Sequence, residues 1–257
     1  MANNMKEIQD RMDTVKGTSQ ITNAMKLVSM AKFQQYSRKA GVLDEFVKDI
    51  QTLPNHQEDR QTIDRQRSLA ICFSADLGLA SMYHKSLFAE LVRSGIEHVV
   101  WIGGKFYDKI CEDERFDVLN EEMSSEDVDI NQLFDQVLEW MNDYEIFIAR
   151  PRLSSGDSVT VEWQNADDHL SPDPSIEFYP SYEAADKLFV ELKTLAVLYE
   201  SFYHSKVVEH TIRRLAMDTA TDNAEALHAE LQLQYNRLRQ EQITQEILEL
   251  SSGMESR

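Results

Sequence analysis

The sequence predicts an α+α/β protein: a long antiparallel coiled coil of the N- and C-terminal helices, with a small α/β domain between them. The 72 residues between Pro180 and Gly253 include neither Pro nor Gly, and the first 40 residues contain one Gly and no Pro. Segments without these helix breakers favour long helices. The middle of the chain instead alternates short apolar runs with helix-like segments, which is typical of an α/β domain.

The N-terminal helix has apolar residues at alternating spacings of three and four. One set precedes Gly17 and a second follows it; the members are Met5, Ile8, Met12 and Val15, then Ile21, Met25 and Val28. A single Gly costs a helix about 1 kcal/mol relative to Ala, so the helix can continue through Gly17. We expect both sets to be buried by pairing with another helix.

The C-terminal helix has a longer apolar seam with the same spacing. Its members are Ala220, Ala224, Leu227, Leu231, Tyr235 and Leu238, and after one slip Ile243, Ile247, Leu250 and Met254. This alternation, kept over several turns, is typical of a coiled coil. A fully helical stretch of 72 residues would be about 108 Å long, so much of it must project from a domain of this size. Antiparallel pairing of the two ends predicts a shaft formed by residues 1–53 and 182–257.

The central segment, residues 68–179, predicts a Rossmann-like α/β domain with a mainly parallel sheet. Strand and helix signals alternate along it. The predicted strands are 68–74, 97–102, 145–149 and 159–163, and the clearest helices are 82–92 and 134–140. The last strand alternates polar and apolar residues, as an edge or hairpin strand does. The polar segments 54–67 and 164–181 are interpreted as loops or borders.

Composition places the chain among soluble, folded proteins. Hydrophobic residues make up 42% and charged residues 28% of it, with only 8 Gly and 5 Pro. Two cysteines, Cys72 and Cys111, exclude a disulfide scaffold and fit a reducing compartment. No apolar run is long enough to span a bilayer, and no signal peptide is evident. We therefore expect a protein that is neither inserted in a membrane nor secreted.

The formal net charge of −19 argues against general binding to nucleic acid or to anionic membranes. The charge is uneven along the chain. Residues 1–40 contain seven basic and three acidic side chains, whereas residues 204–257 contain six basic and nine acidic ones. The middle section, residues 41–203, therefore has a net charge of −20 and accounts for the whole negative excess, which predicts that the ends and the middle meet different partners.

No motif in the sequence predicts a cofactor, a metal site or a self-contained active site. Gly78 stands alone and residues 103–105 lack the spacing of a phosphate-binding loop, so ordinary turns after strands explain both better. Asp76 could be catalytic at the end of a strand, but helix N-capping is favoured. The seven histidines lack metal-ligand spacing, and Cys72 is interpreted as a core residue.

The distinctive polar groups lie on the terminal helices. They include Lys26 beside Met25, the pair Glu209 and Arg213 at spacing (i, i+4), and the neighbours Arg239 and Gln240. Each of these groups can also be interpreted as an ordinary surface feature of a helix, with no role in contact with a partner. An exposed (i, i+4) ion pair contributes only about 0.3–0.5 kcal/mol, and a basic side chain beside a seam Met commonly belongs to a solvated face.

Both ends of the chain resemble the gamma subunit of F-type rotary ATP synthases. The N-terminal resemblance is in residues 5–32, which include the run Thr-Asn-Ala-Met-Lys at 22–26. The C-terminal resemblance is in residues 209–253, which include Ala-Thr-Asp-Asn-Ala at 220–224 and Ile-Thr-Gln-Glu-Ile at 243–247. Residues 74–79 resemble the family's central turn more weakly.

The resemblance implies a non-catalytic rotor shaft of a proton-transporting ATP synthase complex. Such a shaft inserts into a ring of alpha and beta subunits, and its other end rests with the epsilon subunit on the c-subunit ring in the membrane. ATP synthesis belongs to the beta subunits, which the asymmetric shaft biases in turn. The resemblance also implies no cofactor, no nucleic-acid partner and no membrane insertion. The short segment before the first motif favours a peripheral location on the cytoplasmic face of a prokaryotic membrane.

By position in the family's motifs, the resemblance implies contacts with beta subunits for six residues: Met25, Lys26, Glu209, Arg213, Arg239 and Gln240. The sequence departs from the pattern at Asn23, where a basic residue is usual, at Val208, which replaces a Ser, and at 80–81. Two other classes stay open: a non-rotary coiled-coil adaptor with an α/β head, and an α/β enzyme, for which no catalytic group is evident.

Overall fold

A computed structural model describes residues 2–53, 55–56, 67–154, 158–166, 169–170 and 177–255. Five helices and seven strands lie in these ranges: α1 Ala2–Gln51, β1 Asn55–His56, β2 Ser68–Phe73, α2 Ser81–Ser94, β3 His98–Ile102, α3 Tyr107–Cys111, β4 Asp117–Val118, α4 Ile130–Trp140, β5 Glu145–Leu153, β6 Val159–Asn165, β7 His169–Leu170 and α5 Tyr182–Glu255. The predicted loop or border segments 54–67 and 164–181 are not loop throughout, because the first contains β1 and the second contains the end of β6 and all of β7, which pairs antiparallel with β1. Residues 54, 57–66, 167–168 and 171–176 lie outside the described residues.

The chain divides into two compact units. Residues 1–29 and 214–257 form one, called the terminal unit here, and residues 30–213 form the other, the central unit. Helices α1 and α5 contribute residues to both. The sequence analysis assigns residues 1–53 and 182–257 to the shaft, and these boundaries stay a prediction.

The central unit contains a five-stranded sheet in the order β4-β3-β2-β5-β6. The first four strands are parallel, and β6 pairs antiparallel with β5 at the edge. The predicted mainly parallel sheet and the antiparallel edge strand are therefore confirmed. The apolar run 69–73 in β2 is fully buried because helices cover both faces of a parallel sheet.

Alternate residues of β2 belong to two different cores. Leu69 and Ile71 face a core shared with α4 and α5, whereas Cys72 faces a second core shared with α2 and α5. Burial raises the pKa of the Cys72 thiol far above its usual range, so this thiol stays protonated and packs as a small apolar group. The prediction of Cys72 as a core residue is confirmed.

Local capping sets two of the helix ends in the central unit. The Asp129 side chain accepts a hydrogen bond of 2.9 Å from the Asn131 N–H and so caps the start of α4. Helix α2 ends at Gly95, which adopts a left-handed conformation with φ of 71°.

In the terminal unit the two ends of the chain pair antiparallel, as predicted. Thr22 lies opposite Thr221, and Lys26 lies opposite Asp218. Continued at equal rise per residue, this register places Ala2 opposite about residue 241. Because α5 ends at Glu255, its last turns run past the first described residue of α1.

The buried stripe of α1 differs from the predicted one after Gly17. Ile21 and Val28 are 63% and 58% exposed, so the prediction that they are buried in the seam is wrong. The heptad that starts at Met5 continues without a slip, and its inward positions in this unit are Met5, Ile8, Met12, Val15, Ser19, Thr22, Lys26 and Ser29. Because α1 is continuous through Gly17, the same face of the helix stays buried along it. Between residues 19 and 29 the side chains on that face are polar.

The predicted seam of α5 is confirmed only in part where α1 lies opposite. Ala224 and Leu231 are buried, and Ala220, Tyr235 and Leu238 are half-buried. Leu227 is 39% exposed, so its predicted burial is wrong, and His228 takes the inward position between Ala224 and Leu231. Ile243 and Ile247 are 47% and 60% exposed, so their predicted burial is wrong for this chain alone. They lie beyond the register position of Ala2, where the described part of α1 offers no partner. The side chains of Leu250 and Met254 lie outside the described residues.

Among the described residues, no helix combines the length and the apolar character needed to cross a bilayer.

Candidate partner-contact surfaces

The centre of the terminal seam is held by polar contacts. The hydroxyl groups of Thr22 and Thr221 lie 2.8 Å apart, and both residues are buried. One turn further on, the Lys26 ammonium forms an ion pair with Asp218. The hydrogen bond from Lys26 lowers the pKa of the Asp218 carboxyl below its usual range. Lys26 is therefore a half-buried interhelical partner, not a freely solvated cation.

The outward side of the same stretch of α1 is uncharged and contains an apolar patch beside the exposed Gln20 and Asn23. Between residues 18 and 28 the only charged side chain is Lys26, which is paired across the seam. Leu27 is 59% exposed, similar to its neighbour Val28. We call the exposed patch formed by Ile21, Ala24, Leu27 and Val28 the neutral face. Met25 is half-buried beside it.

Arg239 and Gln240 lie on α5 just before the point where the helix runs past α1. Both side chains are exposed, and Arg239 has no ion-pair partner among the described residues. The next turns expose Ile247 and Leu248 at 60% and 64%. This end of α5 therefore offers a cation and an amide beside apolar groups, which suits contact with another chain.

Glu209 and Arg213 lie in the central unit and are both 4% exposed. Arg213 Nη2 lies 2.5 Å from Glu209 Oε1, and Lys206, 1% exposed, is 3.4 Å from Glu209 Oε2. The plain interpretation as a weak exposed pair is therefore wrong. Breaking a buried ion pair by removal of one partner costs about 3–5 kcal/mol.

This buried cluster fastens α5 to two loops of the sheet. Arg213 Nη2 lies 3.4 Å from the Leu77 carbonyl oxygen, and Lys206 Nζ donates a 2.6 Å hydrogen bond to Ser125 Oγ. Glu209 and Arg213 therefore face inward in this conformation. They hold the helix to the domain.

Asp76 organises the same loops. Its carboxylate accepts hydrogen bonds from the Gly104 N–H at 3.1 Å and from the N–H and hydroxyl of Ser125 at 2.9 and 2.8 Å. Partial burial acts to raise the pKa of Asp76, but these hydrogen bonds outweigh it and lower the pKa. The predicted N-cap role is wrong, because Ala80 precedes α2 and no side chain caps it. The Asp76 carboxylate instead accepts hydrogen bonds from Gly104 and Ser125, which lie in other loops of the sheet.

A cluster that sequence reasoning missed joins α1, β5 and α5 in the central unit. The Arg150 guanidinium lies 2.5 Å from Glu200 and 3.0 Å from Asp44, and His204 Nε2 lies 2.7 Å from Asp44. Asp44, Glu200 and His204 could together hold a cation, but Arg150 already supplies positive charge to both carboxylates. Burial raises the pKa of Glu200 to about 7, against the lowering effect of Arg150.

The Glu200 carboxyl by itself makes the chain less stable as pH rises, whereas burial lowers the pKa of His204 in the same cluster and so acts in the opposite direction. The folded state holds the Glu200 proton more tightly than the unfolded state, so the contribution of this proton is complete below the ordinary carboxyl pKa and is lost as pH rises through about 7. We expect about 2 kcal/mol less stability at pH 8.5 than at pH 5.5 from this group. Relative to the parent chain, Glu200→Gln should be more stable at pH 8.5 than at pH 5.5 by about this amount in thermal unfolding followed by circular dichroism, and the exposed control Glu225→Gln should not. An unchanged slope in Glu200→Gln would contradict the assignment.

The two terminal helices pair with each other, and the segment between them in the sequence folds as an α/β domain. The chain is therefore a coiled-coil subunit with an inserted α/β domain. A family model described as ATP synthase matches residues 4–256, and the chain belongs to the ATP synthase gamma-chain family.

The relatives and solved structures that resemble this chain match it over almost its whole length. The ATP synthase gamma chain of Mycoplasma genitalium is 28% identical over 276 aligned positions, covering 97% of this chain and 99% of the relative. The gamma chain of Ureaplasma parvum is 29% identical over 276 positions, covering 95% and 96%. In cryo-EM structures of the Euglena gracilis mitochondrial ATP synthase, one rotor chain superposes with a TM-score of 0.63 at 18% identity, covering 95% of this chain and 100% of that one. A chain of the OSCP/F1/c-ring structure gives 0.67 at 19%, covering 100% and 95%. These likenesses confirm the fold.

Proposed function

We propose that this chain is the central rotor shaft of an F-type ATP synthase, which transmits torque between a membrane-embedded c ring and a ring of alpha and beta subunits. Family membership over residues 4–256 supports this role. The observation that carries the mechanism is the exposed apolar patch of α1 between residues 18 and 28. Thr22 and Lys26 face the partner helix, whereas Ile21, Leu27 and Val28 are exposed in a stretch with no unpaired charge, and an exposed apolar patch marks a surface that another protein covers.

The neutral face can bias catalytic subunits without any chemistry of its own. A subunit that contacts Leu27 and Val28 meets an uncharged apolar patch, whereas one that contacts α5 meets exposed Leu233 interspersed with the charged side chains of Glu230 and Arg237. Because a ligand shifts a conformational equilibrium only through differential contacts, this asymmetry favours a different state in each beta subunit. Rotation of the shaft then moves the favoured state from one subunit to the next.

The remaining residues implied by the resemblance divide into two roles. Exposed Arg239 and Gln240 are suited to direct contact with a beta subunit, and Met25 borders the neutral face. Lys26 acts through its pairing with Asp218. For buried Glu209 and Arg213 we propose a supporting role, in which they resist displacement of α5 from the sheet under load.

The finer assignments follow from the same role. We place the chain in a peripheral complex on the cytoplasmic face of a bacterial membrane, in contact with epsilon and c subunits at one end. It holds no catalytic site, and the isolated chain should not hydrolyse ATP.

The role is tested by co-expression with alpha and beta subunits from the same source. We expect one copy of this chain to purify with three alpha and three beta subunits, as measured by native mass spectrometry. A coiled-coil adaptor would not co-purify in this ratio. An ATPase rate from the rigorously purified chain alone would contradict the non-catalytic assignment.

The double variant Arg239→Ala, Gln240→Ala should lower ATP turnover of the assembled complex and leave the helicity of the isolated chain unchanged. Both side chains are exposed, so their removal costs the isolated chain little. Loss of a cation at an interface that excludes water typically costs about 2 kcal/mol or more. Glu230→Ala, at another exposed position of α5, serves as the control. Turnover equal to that of the parent complex would rule out the contact.

A further inference from the structure

Three side chains that can bind a metal ion converge in the cluster that joins α1, β5 and α5. Asp44 is on α1, and Glu200 and His204 are on α5 at spacing (i, i+4), which places them on the same helix face. One ligand atom from each of the three lies within 4.8 Å of the others. A histidine nitrogen with two carboxylate oxygens is a ligand set that suits Zn²⁺. An ion can reach it from solvent, because the Asp44 side chain is 43% exposed.

The Nη2 atom of Arg150 lies at the point where the three ligand atoms meet. It is 2.5 Å from Glu200 Oε1, 3.0 Å from Asp44 Oδ1 and 3.1 Å from His204 Nε2. One nitrogen of the guanidinium therefore takes the position that a cation would take among these ligands.

Arg150 satisfies this position only in part. The residue is 8% exposed, and its Nε atom is buried with no hydrogen-bond partner among the described residues. His204 Nε2 also lies 2.7 Å from Asp44 Oδ1, and no protonation state suits both of its contacts. With a proton, Nε2 faces the N–H donor of Arg150; without one, it faces the Asp44 oxygen, which is another acceptor. A divalent ion would accept a lone pair from both atoms and so remove the conflict.

Neighbouring groups favour both the ion and the displaced guanidinium. Gln164 Nε2 donates a 3.3 Å hydrogen bond to Glu200 Oε2, and such outer contacts orient the ligands of metal sites. Burial lowers the pKa of His204, so its imidazole is neutral at pH 7, which is the form that binds metals. Glu162 lies directly opposite Arg150 in the β5–β6 pair. Directly opposite residues share a sheet face, so the displaced guanidinium has a carboxylate beside it.

We propose that the set formed by Asp44, Glu200 and His204 binds one Zn²⁺ ion and that this ion displaces the Arg150 guanidinium. The ion links α1 to α5 within the central unit and keeps both carboxylates neutralised. Zinc bonds of about 2.0–2.2 Å place tetrahedral ligand atoms about 3.3–3.6 Å apart, so the three side chains need to close by only about 1 Å. The imidazole favours Zn²⁺ over Mg²⁺ and Ca²⁺, which prefer oxygen ligands. The site does not depend on rotation or on the catalytic ring.

Zinc binding is measured on the full chain, treated with EDTA and then freed of it, by competition with a chromophoric chelator. We expect saturation at one ion per chain, with no competition from millimolar Mg²⁺. His204→Gln removes the imidazole ligand and should weaken binding at least about tenfold. The control His228→Gln, on the same helix, should leave the affinity within about twofold. Binding that His204→Gln does not weaken, or no saturable binding by the parent chain, would overturn the proposal.

Arg150→Met distinguishes a zinc site from a plain ion-pair cluster. In an ion-pair cluster this change only destabilises the chain, because the carboxylates lose their counter-charge. In a zinc site it also removes the competing cation, so the variant should bind Zn²⁺ at least about tenfold more tightly than the parent. Zinc should then raise its thermal unfolding temperature, or restore its circular dichroism spectrum if it is unfolded without the ion. Affinity equal to that of the parent, or no effect of zinc on its folding, would overturn the proposal.

Discussion

Leu27→Asp should reduce ATP turnover of the complex with alpha and beta subunits at least tenfold, or prevent its assembly, while the isolated chain stays folded. Leu27 is 59% exposed on the neutral face, so a carboxylate there remains solvated in the isolated chain. Inside a surrounding ring the same carboxylate would lose its water against apolar neighbours, at a cost of several kcal/mol. A cost of about 1.4 kcal/mol already changes an equilibrium tenfold.

The matched control is Leu79→Asp. Leu79 is 52% exposed and has a positive φ of 70°, a conformation that Asp tolerates better than Leu. The same change of chemistry at similar exposure should therefore leave turnover within about twofold, an effect below 0.5 kcal/mol. If both variants lower turnover equally, or if neither does, the neutral face has no special role in contact with the ring.

Glu209→Ala should lower the free energy of unfolding by about 3–5 kcal/mol, the largest stability effect expected from a single residue here. Removal of this carboxylate takes the ion-pair partner from Lys206 and Arg213, which are 1% and 4% exposed; Lys206 keeps only the weaker attraction of Asp76 and Glu126. Urea unfolding followed by circular dichroism measures the change. Glu225→Ala, at an exposed position of the same helix, should cost less than about 0.5 kcal/mol.

A second variant separates charge from shape at this position. Glu209→Gln keeps the hydrogen-bonding shape and removes the charge, so it should also destabilise the chain, though less than Glu209→Ala. A loss below 1 kcal/mol for Glu209→Ala would show that the cluster does not hold α5 to the central sheet.

Three strands, β2, β3 and β5, were predictable because each contains a short apolar run that a sheet covered on both faces buries, and β6 was predictable because it alternates as an edge strand does. The two-residue strands β1, β4 and β7 were not predicted, because so short a segment has no pattern of its own. The run 68–73 lies in β2, and the alternating run at 159–163 lies in β6 at the edge. The long helices were predictable because no Pro or Gly interrupts residues 181–252. In these segments local pattern and tertiary packing favour the same structure.

The seam after Gly17 was not predictable from apolar residues alone. Selecting Ile21 and Val28 assumes that the largest apolar groups are buried, but the heptad from Met5 leads to Ser19 and Thr22. Thr22 can be buried because its hydroxyl forms a hydrogen bond with that of Thr221 on the other helix. The two residues are 199 positions apart in the sequence, so the pattern around Thr22 could not predict this pair. The absence of charge around Lys26 was the available signal for the neutral face.

The buried polar clusters could not be predicted because their members are distant in sequence. Asp44 meets His204 across 160 positions, and Asp76 meets Ser125 across 49. Spacing did identify Glu209 and Arg213 as a helical pair, but it could not show that the sheet buries them. Burial turns a weak surface pair into a structural anchor.

Direct observation of rotation tests the central claim. The alpha and beta ring is fixed to a surface, and a bead is attached to this chain through a cysteine introduced at an exposed position of the central domain, after Cys111 is replaced by Ser. With ATP, we predict that the bead turns in one direction with three pauses in each revolution, one for each beta subunit. ATP hydrolysis by the assembled ring without movement of the bead would contradict the assignment of this chain as the rotor.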